Sequence, residues 1–201
     1  MKRVLTILAL LALALPAAGQ VTLDELDAAA DQTDTAMDEF RARLNDPDPD
    51  RALAVLQLLV TKGDANQRRL AIRHGLQSTD RAIQATTLRA ILDSGPVLRA
   101  VFDPVSAEPT VHFGRTINGA GGVLDATGSG SVTFRITGFD EAEDCWTHTQ
   151  WNTCLLRMRG DEISLLFGSS WGTYRLNGSG QLVGEQAVEQ NLAQGTIDLS
   201  E

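Results

Sequence analysis

Residues 50–95 read DRALAVLQLLVTKGDANQRRLAIRHGLQSTDRAIQATTLRAILDSG, and this stretch decides the N-terminal half of the fold. Its opening tetrapeptide, DRAL, returns thirty positions later (80 − 50 = 30) as DRAI. Each copy begins a run with apolar residues at helical spacing, and each run ends at a glycine, Gly63 or Gly95. The stretch therefore predicts three short helices with tight connections.

The predicted helices have side chains suited to capping their first turns. Aspartate, serine and threonine accept hydrogen bonds from the unpaired N–H groups at a helix start. The candidate caps are Asp48 or Asp50 for the first helix, Asp64 for the second, and Ser78 or Thr79 for the third. Asp64 with Gln67, and Thr22 with Glu25 in the helix before this stretch, also have the spacing of a capping box.

The repeated pattern in residues 50–95 resembles HEAT-type repeats, which are α-solenoid hairpins that serve as binding scaffolds. Because a stable stack usually needs three copies, the preceding helix and the second half of the chain would cap this one. The resemblance implies a HEAT-like helical domain over residues 20–104.

An amphipathic helix is predicted at 21–44, before this stretch. Its apolar positions are spaced alternately three and four residues apart, as in a helix seam. They are Leu23, Leu26, Ala30, Thr33, Met37, Phe40 and Leu44. The stripe either packs on the following helices or pairs with another copy as a coiled coil.

The first nineteen residues have the pattern of a secretory signal peptide. Lys2 and Arg3 precede an apolar run at 4–15, Pro16 breaks it, and small residues follow at 17–19. We expect cleavage after Gly19 and a periplasmic or secreted protein. No later stretch is apolar enough for a transmembrane segment.

The charge of the chain argues against nucleic-acid binding. The formal net charge is −9, and the signal segment holds two of the seventeen basic residues and no acidic one, so the mature chain is at 15 − 26 = −11. Such a field repels polyanions, whether nucleic acid or anionic membrane. A local basic patch escapes this rule.

One such patch lies in residues 51–104, which contain eight basic residues and only four acidic ones. Arg68, Arg69 and Arg73 fall on one predicted helix beside His74. They form either a solvated helix face or a contact surface for an acidic partner protein.

After residue 104 the apolar period changes from helical to two, and glycine-rich turn signals become frequent. Strands are expected from 110–113 onward, a short helix or loop at 186–194, and a last strand at 196–199. The fold class is therefore α+β, with N-terminal α-helical hairpin repeats followed by a C-terminal antiparallel β-sandwich or small barrel at 105–201.

The two cysteines, Cys145 and Cys154, are the only pair in the chain. In an exported protein they should form a disulfide. A metal site with His148 is the alternative, but it lacks a fourth ligand at standard spacing.

The segment between the cysteines carries Trp146, His148 and Trp151. Aromatic side chains on a pinned loop bind sugar rings or partner proteins. The alternative is that at least one tryptophan folds back to cover the core.

The sequence contains no nucleophile elbow, HExxH motif, phosphate loop or dinucleotide glycine motif. We therefore predict no catalytic residue, metal or cofactor. The expected function is protein–protein interaction or cell-envelope scaffolding, with another envelope protein as the partner. A carbohydrate- or small-ligand-binding module and a hydrolase with an unrecognised site are the alternatives.

Overall fold

The structure is a computed structural model that describes residues 21–106, 110–148 and 153–199. The predicted signal peptide, 1–19, lies outside the described residues. The chain divides into two compact units, of which the first ends at Ala36 and the second begins at Met37. No helix in the described part of the chain combines the length and the apolarity that crossing a membrane requires.

Helix α1 (Leu23–Leu44) crosses the boundary between the units. The Glu25 N–H donates to Thr22 Oγ1 at 3.2 Å and the Thr22 N–H donates to Glu25 Oε2 at 2.9 Å, which forms a capping box. Residues 21–36 are exposed throughout. Further along the same stripe, Phe40 packs against the core and Leu44 is buried.

The second unit opens with helices α2 (Pro49–Lys62), α3 (Ala65–Leu76) and α4 (Arg81–Asp93). Asp48 accepts from the first-turn N–H groups of α2, and Asp64 forms a capping box with Gln67 at the start of α3, as predicted. The cap of α4 is Asp80, so the prediction of Ser78 or Thr79 was wrong. The Ser78 hydroxyl instead accepts from the Asp80 N–H.

The three helices pack against one another, but the predicted helical hairpin repeats are not confirmed. The chain leaves α4 through Gly95, whose φ of +68° is the left-handed conformation that ends many helices. It enters the sheet two residues later.

The described residues after α4 form a sheet and one further helix, α5 (Val111–Gly119). The strands are β1 (Val97–Pro104), β2 (Val123–Leu124), β3 (Gly130–Asp140), β4 (Cys145–His148), β5 (Cys154–Arg159), β6 (Glu162–Phe167), β7 (Ser170–Leu176), β8 (Gln181–Val188) and β9 (Asn191–Asp198).

Eight of these strands close into an antiparallel barrel. Strands β3 to β9 follow one another as neighbours, β1 pairs with β9, and β1 also pairs with β3. The two-residue β2 pairs with the first two residues of β3, Gly130 and Ser131. The α+β class is confirmed, and of the two predicted β architectures the structure has the barrel.

Three local predictions were wrong. Strand β1 lies at Val97–Pro104, within the range assigned to the helical domain, so the sheet begins before the expected boundary at 104. Helix α5 replaces the strand expected at 110–113. Strands β8 and β9 replace the helix or loop expected at 186–194.

The barrel interior is filled by side chains, as an eight-stranded barrel allows. Phe102 stacks on Phe167 at 4.6 Å between ring centroids, and Phe134 meets Phe167 edge-on at 5.8 Å. Helix α5 buries Ile117 against Gly130, where a Cβ would lie 2.6 Å from the isoleucine side chain. The buried residues of α2–α4 and of the barrel belong to one hydrophobic cluster.

Candidate functional site

The predicted disulfide between Cys145 and Cys154 is present and joins the first residues of β4 and β5. Their Cα atoms are 5.5 Å apart and Cys145 is fully buried. Both sulfurs are used in this bond, and in the described part of the chain no three His, Cys, Asp or Glu side chains converge as metal ligands would.

Trp146 lies in the core and is 1% exposed. Its indole N–H donates to Asp93 Oδ1 at 2.9 Å, and its ring meets Phe139 edge-on at 4.9 Å between centroids. This position removes Trp146 from any ligand-facing surface. It matches the alternative that a tryptophan of this segment covers the core.

His148 is also buried, at 7% exposure, with its ring edge-on to Phe134 at 5.8 Å between centroids. Burial lowers the pKa of the His148 imidazole below its ordinary value, because desolvation disfavours the charged form. Trp151 lies outside the described residues, so its contact role stays a prediction.

Trp171 is an exposed aromatic residue that the sequence interpretation did not select. It is 42% exposed, and the Arg157 guanidinium lies 5.0 Å from its ring centroid. The signal was available in the alternation along β7, where Gly172 and Tyr174 are buried and Trp171 faces outward.

The predicted basic residues on α3 do not share one environment. Arg68 is half-buried, and its Nε has no hydrogen-bond partner among the described residues. Arg69 and Arg73 are exposed, and both line a cavity of ≈ 330 Å³. We call this cavity the arginine pocket; its other lining residues are Ile72, Leu76, Gln77 and the turn at 179–180.

Helical spacing and a distant turn together build the arginine pocket. Arg69 and Arg73 are four residues apart, so their side chains leave the same face of α3 one turn from each other. The opposite wall is the β7–β8 turn, where Gly180 has a φ of +79° and approaches Leu76. Asn177 Oδ1 accepts from the N–H groups of Ser179 and Gln181 and holds this turn.

Two positively charged side chains, and no negatively charged one from the described part of the chain, line the arginine pocket. Among the described residues neither Arg69 nor Arg73 forms an ion pair, and no acidic side chain lines the pocket. By contrast, Arg175 is held by Glu162 at 2.8 Å. A guanidinium offers five N–H donors in a fork that matches a carboxylate or phosphate group. The pair can therefore bind an oxyanion.

A second cavity, of ≈ 350 Å³, lies at one end of the barrel beside α5. Most of its lining is apolar or backbone, and its residues include Thr116, Ala120, Leu155, Phe167, Ser169 and Glu189. A space of this size and character is suited to a small apolar molecule.

No family model matches the chain, and no curated protein or solved structure gives a significant match. The resemblance of residues 50–95 to HEAT repeats therefore has no family match behind it.

Proposed function

We propose that this protein is an exported, non-catalytic interaction module that binds an acidic group of another envelope protein in the arginine pocket. The observation that carries this proposal is the pair Arg69 and Arg73. Both are exposed, both line one cavity, and neither is in an ion pair among the described residues.

The unpaired state of these two arginines is informative because the chain as a whole is acidic, with a net charge of −9. Carboxylates are abundant, yet those in the described residues leave this pocket open. Two neighbouring guanidiniums repel each other, and an anionic group from outside would relieve that repulsion.

The negative field of the whole molecule favours a protein partner over a polyanion. Nucleic acid and anionic membrane bring many charges to a surface at once, and the surrounding carboxylates oppose their approach. A single carboxylate brings one charge and needs only a local patch.

Export is supported by the disulfide. Such bonds persist in oxidising compartments and are rare in the cytosol. A periplasmic or secreted location is therefore part of the proposal, together with removal of residues 1–19.

The test is capture of partners from the envelope fraction of the native host by the disulfide-bonded protein and by its R69E/R73E variant. A matched control, K62E/R81E, makes the same charge change at two exposed positions on α2 and α4, where neither side chain is in an ion pair among the described residues. We expect a partner that wild type and control both retain, that R69E/R73E loses, and whose binding weakens with salt. Equal capture by all three proteins would remove the arginine pocket from consideration.

A small-ligand function is the second candidate, and the cavity at the barrel end supports it. Titration with an uncharged apolar fluorophore such as 1-aminoanthracene tests it, with A120W as a variant that fills the cavity. Binding lost in A120W would support this candidate, and absence of binding to wild type would end it. The carbohydrate alternative now depends on Trp151, because Trp146 is buried.

A further inference from the structure

We infer that the arginine pocket recognises the C-terminal carboxylate of a peptide chain. This inference rests on the proposed function and names the chemical group that the partner contributes. It follows from the spacing of the two arginines, from the polar groups beside them, and from the size of the cavity.

The spacing suits one carboxylate. Side chains at i and i+4 of a helix begin about 5–6 Å apart, so the Arg69 and Arg73 guanidiniums can converge on the two oxygens of a single group. Hydrogen bonds from arginine to a carboxylate are charge-assisted and stronger than neutral ones. Each oxygen can receive a donor from a different arginine.

Polar groups beside the arginines distinguish a chain terminus from an isolated anion. Gln77 and Ser179 line the same cavity, both are exposed, and no hydrogen bond from either side chain is formed within the described residues. A carboxamide both donates and accepts. Gln77 can therefore pair with the peptide group that precedes a terminal carboxylate.

The size of the pocket limits the ligand to a chain end. A volume of ≈ 330 Å³ is near the lower limit for ligand pockets, so it holds one or two residues rather than a folded surface. Ile72 and Leu76 are 5% and 3% exposed, so these two side chains shape the floor and add little apolar area. Affinity then depends on the charged group more than on the last side chain.

The experiment uses the mature, disulfide-bonded protein and fluorescein-labelled hexapeptides of the form GSGSGX, where X is Ala, Val or Leu. Each has a free carboxylate, and a matched peptide ends in an amide. A third set of peptides ends in an amide and has glutamate at position four, so that its only carboxylate is a side chain. Anisotropy titrations up to millimolar concentration give the dissociation constants.

We expect the free acids to bind at least about ten-fold more tightly than the amides, a difference expected from charge-assisted bonds. The R69Q/R73Q variant should lose this preference. The S179E variant should bind the free acids more weakly, because its negative charge repels the peptide carboxylate. The control K62Q/R81Q should bind as wild type does.

Equal binding of acids and amides, or no binding by any peptide, overturns the inference. Stronger binding of the internal glutamate peptides also overturns it, in favour of a side-chain carboxylate. Failure here leaves the proposed function standing if R69E/R73E still loses the envelope partner. If the arginine variants still bind both the envelope partner and the free-acid peptides as wild type does, the inference and the proposed function are both overturned.

Discussion

The indole N–H of Trp146 donates to Asp93 Oδ1 across 2.9 Å and ties strand β4 of the barrel to the last turn of α4. Arg89 joins the same cluster: its Nε lies 3.5 Å from Asp93 Oδ2, and its guanidinium carbon lies 4.7 Å from the centroid of the Phe139 ring. The tryptophan therefore packs where the helices and the barrel meet, and one carboxylate accepts the indole N–H and forms an ion pair with Arg89.

Replacing Asp93 by alanine should destabilise the second unit by about 1–3 kcal/mol, because the buried indole N–H loses its acceptor. Asp93→Asn keeps an acceptor oxygen at the same place and should cost less than Asp93→Ala. Urea unfolding followed by tryptophan fluorescence measures both. Equal midpoints for wild type and Asp93→Ala would show that the bond adds nothing to stability.

The helical half could be predicted where its signals were local. A capping box needs only two side chains three residues apart, so Thr22 with Glu25 and Asp64 with Gln67 were readable from the sequence. Helix α5 was missed because Val111 and Phe113 fit a strand equally well. Its burial is decided by the contact of Ile117 with Gly130, which local periodicity does not contain.

The barrel and the candidate site were predictable only in part, for the same reason. Strand β1 buries Leu98, Ala100 and Phe102 in alternation, but its pairing partners β3 and β9 lie far along the chain. One wall of the arginine pocket could be predicted, because Arg69 and Arg73 stand close together in the sequence on one predicted helix. The facing turn at 179–180 is about a hundred residues away, and no local signal connects the two walls.

Gly75→Ala should destabilise the protein by about 1–3 kcal/mol, although alanine normally favours a helix over glycine. A Cβ at Gly75 would overlap the Thr87 hydroxyl and lie 2.9 Å from Leu56 Cδ1, and Thr87 is fully buried. Thermal and urea unfolding measure the change. A more stable Gly75→Ala protein would contradict the close packing of α2, α3 and α4.

The matched control for this substitution is Gly119→Ala at the end of α5. A Cβ there meets no atom within 4 Å, so ordinary helix propensity should apply. We expect this variant to be unchanged or more stable by up to about 1 kcal/mol.

Removal of the disulfide should lower the free energy of unfolding by about 2–3 kcal/mol, since the Cys145–Cys154 bond closes a short loop. Unfolded, unreduced protein should show no reactive thiol, and reduction should release two. The Cys145→Ser/Cys154→Ser variant gives the stability change by urea unfolding. Two reactive thiols before reduction would contradict the bond.

The stability of the fold should decline below about pH 6.5 because of His148. Burial lowers the pKa of this imidazole in the folded protein, whereas the unfolded chain titrates near the ordinary value of about 6.5 and so binds more protons below it. The contribution of a neutral His148 is complete above that pH and is lost as the pH falls toward the folded pKa. Urea unfolding of wild type and His148→Gln at pH 7.5, 6.5 and 5.5 isolates this effect, since other groups titrate alike in both proteins. As the pH falls, the free energy of unfolding of wild type should decrease more than that of His148→Gln. Parallel pH curves for the two proteins would assign the acid sensitivity to other residues.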